Sequence, residues 1–205
     1  MRPPFLSSRI TRLILDSPYL RHLVLPEGSE SSPYEILDYQ ASLVLEDVRG
    51  RRATFKRRQV VRFTQDGVGA ILDHAWGNGV LVTNYHHSAG SLADTFKDEG
   101  TRHLLIELKR PMAQGQILKF SVERTAMEAF TASAGSVETT IDHPIARLTR
   151  QVIFPKGRPA QQAMLIGVGK LTPLPIKRLW DGRTAVRVAI SDPEPNSPYV
   201  VRWTW

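Results

Sequence analysis

Residues Ile36 to Glu46 read ILDYQASLVLE, and the alternation in this stretch decides the fold class. Leu37, Tyr39, Ala41, Leu43 and Leu45 share one face of an extended chain, while Asp38, Gln40, Ser42 and Glu46 share the other. A half-buried strand requires this pattern, because successive side chains point to opposite faces. Arg49 and Gly50 then turn the chain. A second strand is predicted from Ala53 to Thr64, ended by Asp66 and Gly67.

The same signals recur downstream. Gly77-Asn78-Gly79 lies between Ile71–Trp76 and Val80–Tyr85 and predicts a hairpin, since these residues tolerate positive φ. A polar loop is expected from Ser88 to Gly100. Leu104, Ile106 and Leu108 then face one side, and Gln114-Gly115 turns the chain into Leu118, Phe120 and Val122. Thr125 to Ala134 is the one short stretch in this region that admits a helix. Further strands are predicted around Val137 to Ile141, Ala146 to Phe154 and Ala163 to Val168. Asp181-Gly182 joins Pro175–Trp180 to Thr184–Ile190 as another hairpin. After a loop stiffened by Pro193, Pro195 and Pro198, the run Tyr199, Val201, Trp203 and Trp205 is expected to send bulky side chains into the core. Many short strands with regular turns predict a mainly β, antiparallel β-sandwich (Ig-like or jelly-roll-like) over residues 34–205, not a βαβ fold.

Residues 1–26 read differently. Ser7 and Ser8 suit the N-cap of a short helix with Ile10, Leu13 and Ile14 on one face. Ser17-Pro18 ends it and starts a second turn, in which Leu20 and Leu23 continue the apolar face up to Pro26. Residues 27–33 read as a linker. The Arg- and Leu-rich composition superficially suits an organellar transit peptide. Asp16 and the absence of a small-residue cleavage site favour a retained helical arm. Its apolar residues need burial, on the sandwich or on another protein.

The 205 residues are enough for one core of useful size, and 41% hydrophobic with 23% charged residues is an ordinary globular balance. With no cysteine there is no disulfide, thiol nucleophile or cysteine-bound zinc, and a cytoplasmic location is expected. No run of about 18 apolar residues exists to form a membrane-spanning helix. The 27 Lys and Arg outnumber the 20 Asp and Glu, a formal charge of +7 that favours anionic partners.

That charge concentrates on the first hairpin. Arg51, Arg52, Lys56, Arg57 and Arg58 are the candidate partner- or polyanion-binding residues, with Arg49 and Arg62 nearby. Lys56 and Arg58 would share a strand face with Arg57 opposite, and Phe55 and Phe63 would add aromatic surface of the kind that stacks bases. The plainer reading is a solvated edge hairpin whose charges prevent edge-to-edge pairing.

Catalytic patterns are absent. His86 and His87 would point to opposite faces of a strand, Asp73-His74 and Asp142-His143 likewise, and no HExxH occurs, so no metal site is expected. Ser88 and Ser91 lack a Gly-x-Ser-x-Gly context. Gly167-Val168-Gly169-Lys170 has Met164 where a phosphate loop needs Gly, and Leu171 where it needs Ser or Thr. The sequence therefore predicts a non-enzymatic binding or adaptor domain without cofactor. It would dock on another protein, or self-associate, through the arm residues Ile10, Leu13, Ile14, Leu20 and Leu23 and through the basic hairpin. The alternatives are a shell- or tail-type assembly subunit, a nucleic-acid-binding accessory protein, and a hydrolase whose site lies in the loops.

Overall fold

The computed structural model describes residues 33–75, 82–98, 101–141 and 144–205, and all regular structure in them is extended. The first seven strands are β1 (Tyr34–Leu45), β2 (Arg52–Phe63), β3 (Val68–Ala75), β4 (Val82–His87), β5 (Gly90–Asp98), β6 (Thr101–Met112) and β7 (Ile117–Met127). The second seven are β8 (Ala134–Thr140), β9 (Arg147–Phe154), β10 (Gln162–Gly167), β11 (Lys170–Pro173), β12 (Ile176–Arg178), β13 (Thr184–Ser191) and β14 (Pro198–Thr204). They form three sheets, in the orders β12-β13-β9-β1-β2-β7-β4, β11-β10-β14-β8 and β3-β6-β5. The expected helical arm lies outside the described residues.

The deciding stretch becomes β1, in the middle of the seven-stranded sheet. It pairs antiparallel with β2 and parallel with β9, so that Tyr39 lies between Gln59 and Leu148. A register shift between Ile36 and Asp38 changes the phase of the alternation, which buries both Ile36 and Tyr39 and leaves Leu37 half-buried. The turn into β2 is built by Asp47, whose carboxylate accepts from the backbone N–H groups of Arg49 at 2.8 Å, Arg51 at 3.3 Å and Arg52 at 2.7 Å.

Both small sheets cover the same face of the large one. Tyr34, Ile36, Val61, Phe63 and Phe120 pack with Val68, Ile71, Leu108 and Met112 of the three-stranded sheet. Leu43, Leu45, Val152 and Phe154 pack with Ala163, Val201, Trp203 and Trp205 on the side of the four-stranded sheet. Trp203 meets Phe154 edge-on at 5.7 Å, and Phe130 lies at the same distance. Gly135 is opposite Trp203 on β8, and a Cβ there would lie 2.6 Å from the indole, so the large ring fixes the small residue.

Several expectations change. Where one sandwich of two sheets was expected, three sheets form. β3 and β4 make no hairpin across Gly77-Asn78-Gly79, because β3 pairs with β6 and β4 with β7 in different sheets. The expected loop from Ser88 to Gly100 contains β5, whose polar residues suit its position at a sheet edge. Thr125 to Ala134 is not helical: β7 runs to Met127, and the bend beyond it is held by Phe130 N–H on the Gly50 carbonyl at 3.0 Å. Val168 and Gly169, both at positive φ, close a hairpin from β10 into β11. Trp180, 99% exposed, stays out of the core.

Trp203→Ala is expected to destabilise the protein by about 3–5 kcal/mol, read from urea unfolding. A wild-type midpoint would show that the indole does not hold the two sheets together.

Candidate functional site

β2 supplies the residues on both faces of the large sheet. Arg52, Thr54, Lys56 and Arg58 point outward, and Ala53, Phe55, Arg57 and Gln59 point towards the small sheets. β2 is fifth of seven strands, so the basic hairpin is not at a sheet edge, and the edge-protection reading falls.

On the outer face an open groove of about 590 Å³ is lined by Val44, Glu46, Arg52, Thr54, Lys56, Asn84, His86, Glu123 and Thr125. Its cations are already paired. Arg52 Nε lies 2.8 Å from Glu46, and Lys56 Nζ 3.1 Å from its cross-strand neighbour Glu123. The Thr54 hydroxyl also donates to Glu46. Beside the groove, Arg51 approaches Glu128 at 3.8 Å, and Arg62 pairs with Glu35. Arg58 is exposed and has no ion pair among the described residues. The five candidate cations thus divide: three paired on the surface, Arg58 there without an ion pair among the described residues, and Arg57 on the other side of the sheet.

Arg57 enters the interior among Tyr39, Ala41, Phe55 and Val122 of the first apolar cluster. Its Nη2 lies 2.7 Å from Asp73 on β3, with side chains only 13% and 4% exposed. The Tyr85 hydroxyl donates to the other oxygen of Asp73 at 2.7 Å. Burial works against the Arg57 charge, but Asp73 together with Tyr39 and Tyr85 outweighs it, so the guanidinium's pKa is raised. Burial, then the charge of Asp73, raises the Tyr85 phenol and keeps it a hydrogen-bond donor.

Arg150 on β9 reaches the four-stranded sheet. Its Nε donates to Thr139 Oγ1 at 3.1 Å and its Nη2 to the Glu138 carbonyl at 3.1 Å. Arg150 and Arg124 lie over the Phe55 ring, at 5.4 and 4.7 Å from its centroid. Burial lowers the pKa of both guanidiniums. Phe55 therefore packs inside the protein and offers no surface for base stacking, as does Phe63.

His86 and His87 do point to opposite faces, His86 into the outer groove and His87 inward. The His87 ring stacks on Phe120 at 4.7 Å, and its Nδ1 accepts from Ala89 N–H at 3.2 Å. Among the described residues no three His, Asp or Glu side chains gather as metal ligands would. Gly167 to Lys170 forms only the turn of a hairpin. Among the same residues no helix is long and apolar enough to cross a membrane.

With this architecture, solved structures provide relatives where sequence does not. The chain is similar to an M1 zinc metallopeptidase from Deinococcus radiodurans, with a TM-score of 0.50 and 12% identity, covering 82% of this chain and 42% of that one. A mutant of the Deinococcus radiodurans enzyme bound to a Tyr-Ser-Ala substrate gives a TM-score of 0.52 at 12% identity, over 82% and 42% of the two chains. A two-domain M1 zinc metallopeptidase mutant bound to L-tryptophan gives 0.52 at 12% identity, over 85% and 43%. The likeness is one of fold. This chain spans less than half the length of those peptidases, and no protein-family model or curated protein matches its sequence.

Burial drives the His87 pKa down to about 4; Asp73 opposes the shift, and Arg57 and His86 add to it. The unfolded chain therefore binds a proton between about pH 6.5 and 4 that the folded chain refuses, so stability falls as pH drops through that window. His87→Phe, which keeps the stack on Phe120, should unfold with a shallower loss of midpoint over that window than wild type. Equal slopes would show that His87 protonates freely in the fold.

Proposed function

We propose that the chain is a non-enzymatic binding domain of sandwich-like build, which docks an acidic protein surface on the outer face of its seven-stranded sheet. One observation carries the reading: among the described residues, the outer groove has surface cations held by solvent-exposed ion pairs, with Arg58 beside them in no ion pair. Exposed pairs of this kind are worth about 0–1 kcal/mol, so an incoming carboxylate replaces Glu46 or Glu123 at little cost. The N-terminal segment, with Ile10, Leu13, Ile14, Leu20 and Leu23 on a helical arm, supplies the apolar half of the interface. Self-association through the arm, a shell- or tail-type assembly role and contact with nucleic acid are rival uses of the same surface.

The fold likeness supports a second reading. The chain is comparable in extent to under half of a two-domain zinc metallopeptidase, and in that setting the domain would hold a peptide for a separate catalytic partner. On both readings the chain alone is inert. Purified protein supplied with zinc should leave aminoacyl p-nitroanilides intact, and zinc-dependent turnover would overturn the non-enzymatic assignment.

Charge reversal tests the outer face. Arg57 must be spared, because Glu there would bury a second carboxylate beside Asp73. The double variant Lys56→Glu, Arg58→Glu should associate several-fold more slowly with poly-L-glutamate and change stability by no more than about 0.5 kcal/mol. An unchanged association rate would exclude this face. If duplex DNA binds in preference to poly-L-glutamate, with a log–log salt slope near −0.9 per phosphate contacted, the nucleic-acid alternative replaces the protein partner.

A further inference from the structure

Charge pairing in this protein runs opposite to need. On the surface, where water already screens them, Arg51, Arg52, Lys56 and Arg62 each face a glutamate. Between the sheets, Arg57, Arg124 and Arg150 converge on a band in which Asp73 is the one carboxylate paired with an arginine among the described residues. Two buried guanidinium atoms, Arg57 Nε and Arg150 Nη1, have no hydrogen-bond partner among the described residues. Arg150 itself is 4% exposed. Burying an uncompensated charge with open donors is strongly unfavourable, so such a group needs an acceptor.

The sheet register places these donors. Ala41 on β1 lies directly between Arg57 on β2 and Arg150 on β9, and all three point to the inner face. Tyr39, two residues back on β1, shares that face, and the Arg57 guanidinium lies 5.9 Å from its ring centroid. One row further along, Phe55 and Arg124 are cross-strand partners, and Arg124 lies over the Phe55 ring within the field of Asp73. The guanidiniums of Arg124 and Arg150 both lie over the Phe55 ring.

We propose that this band is an oxyanion site, in which a carboxylate or phosphate group bridges Arg57 Nε and Arg150 Nη1 and is neutralised by Arg124. The planar, multi-donor guanidinium is the side chain best matched to such oxygens. Asp73 lies outside the bridge: Arg57 Nη2 and the Tyr85 hydroxyl occupy it and aim the Arg57 fork. The site is on the opposite face of the sheet from the outer groove, so it stands or falls independently of the docking function.

The test is thermal unfolding of the full chain in sodium chloride, sodium phosphate and sodium succinate at pH 7 and matched ionic strength. A ligand that binds only the folded state raises the midpoint in a saturable way. Phosphate, succinate or both should do so, and the more effective salt identifies the class of oxyanion. Arg150→Met should abolish the saturable shift, read against the variant's own midpoint in chloride, which the lost bonds to Thr139 and the Glu138 carbonyl lower. Should that variant fail to fold, Arg124→Met, which breaks no hydrogen bond among the described residues, should weaken the shift at least tenfold in anion concentration. Arg58→Met, on the outer face, should leave it unchanged. Identical midpoints in all three salts, or a shift that persists in both Arg150→Met and Arg124→Met, would overturn the proposal.

Discussion

Arg57 carries its charge off the large sheet and into the interior, where Asp73 of the three-stranded sheet meets it at 2.7 Å under the Tyr85 hydroxyl. A buried pair of this kind adds little net stability, because desolvation consumes most of the attraction. Losing one partner nevertheless costs about 3–5 kcal/mol. Its structural effect is therefore to forbid alternatives. A one-residue slip of β2 would turn Arg57 out to solvent and bring Arg58 in, with every apolar neighbour changing face as well. Arg150 does the same for the four-stranded sheet through Thr139 and the Glu138 carbonyl. Each small sheet is thus located on the large one by an arginine, with apolar packing around it.

That division gives the two faces different work. The inner face holds charges in fixed places, each oriented by a neighbouring ring or hydroxyl. The outer face holds charges in pairs that water can dissolve, over threonine and asparagine side chains that donate and accept in several directions. A surface of the second kind adapts to what binds it, and an interior of the first kind does not. The presence of both on one strand, one residue apart in phase, follows from the alternation of β2 alone.

Strand identity was largely legible in the sequence and strand partnership was not. The alternation in β1, β2, β7 and β14 comes from a core on one side and water on the other, and that contrast is written locally. Gly77-Asn78-Gly79 has the chemistry of a hairpin, yet β3 and β4 diverge, because each finds a larger apolar partner far along the chain. β5 escaped notice because an edge strand with exposed polar residues needs no alternation. The division of Lys56 and Arg58 from Arg57 across the two faces was legible in the alternation of β2, and the inner band that Arg57 enters was not read. Its signal was present: Arg57, Arg124 and Arg150 each occupy the apolar phase of a strand, between Phe55 and Gln59, Val122 and Ala126, and Leu148 and Val152. A cation in that phase is a mark of interior polar structure that net charge conceals.

The parallel pairing of β1 with β9 has a consequence in time. β1 is made well before β9, and one of its two edges pairs with the residues that follow Arg147. At a synthesis rate of about 5–20 residues per second, some 5–20 s pass between the two. In that interval β2 can zip onto one edge, while the other displays unpaired amides beside the Leu43-Val44-Leu45 run. Such an edge is a template for a second nascent chain. Contacts this distant along the chain also form slowly once both strands exist. The yield of soluble protein is then governed by how quickly the ribosome delivers β9, as well as by the stability of the finished fold.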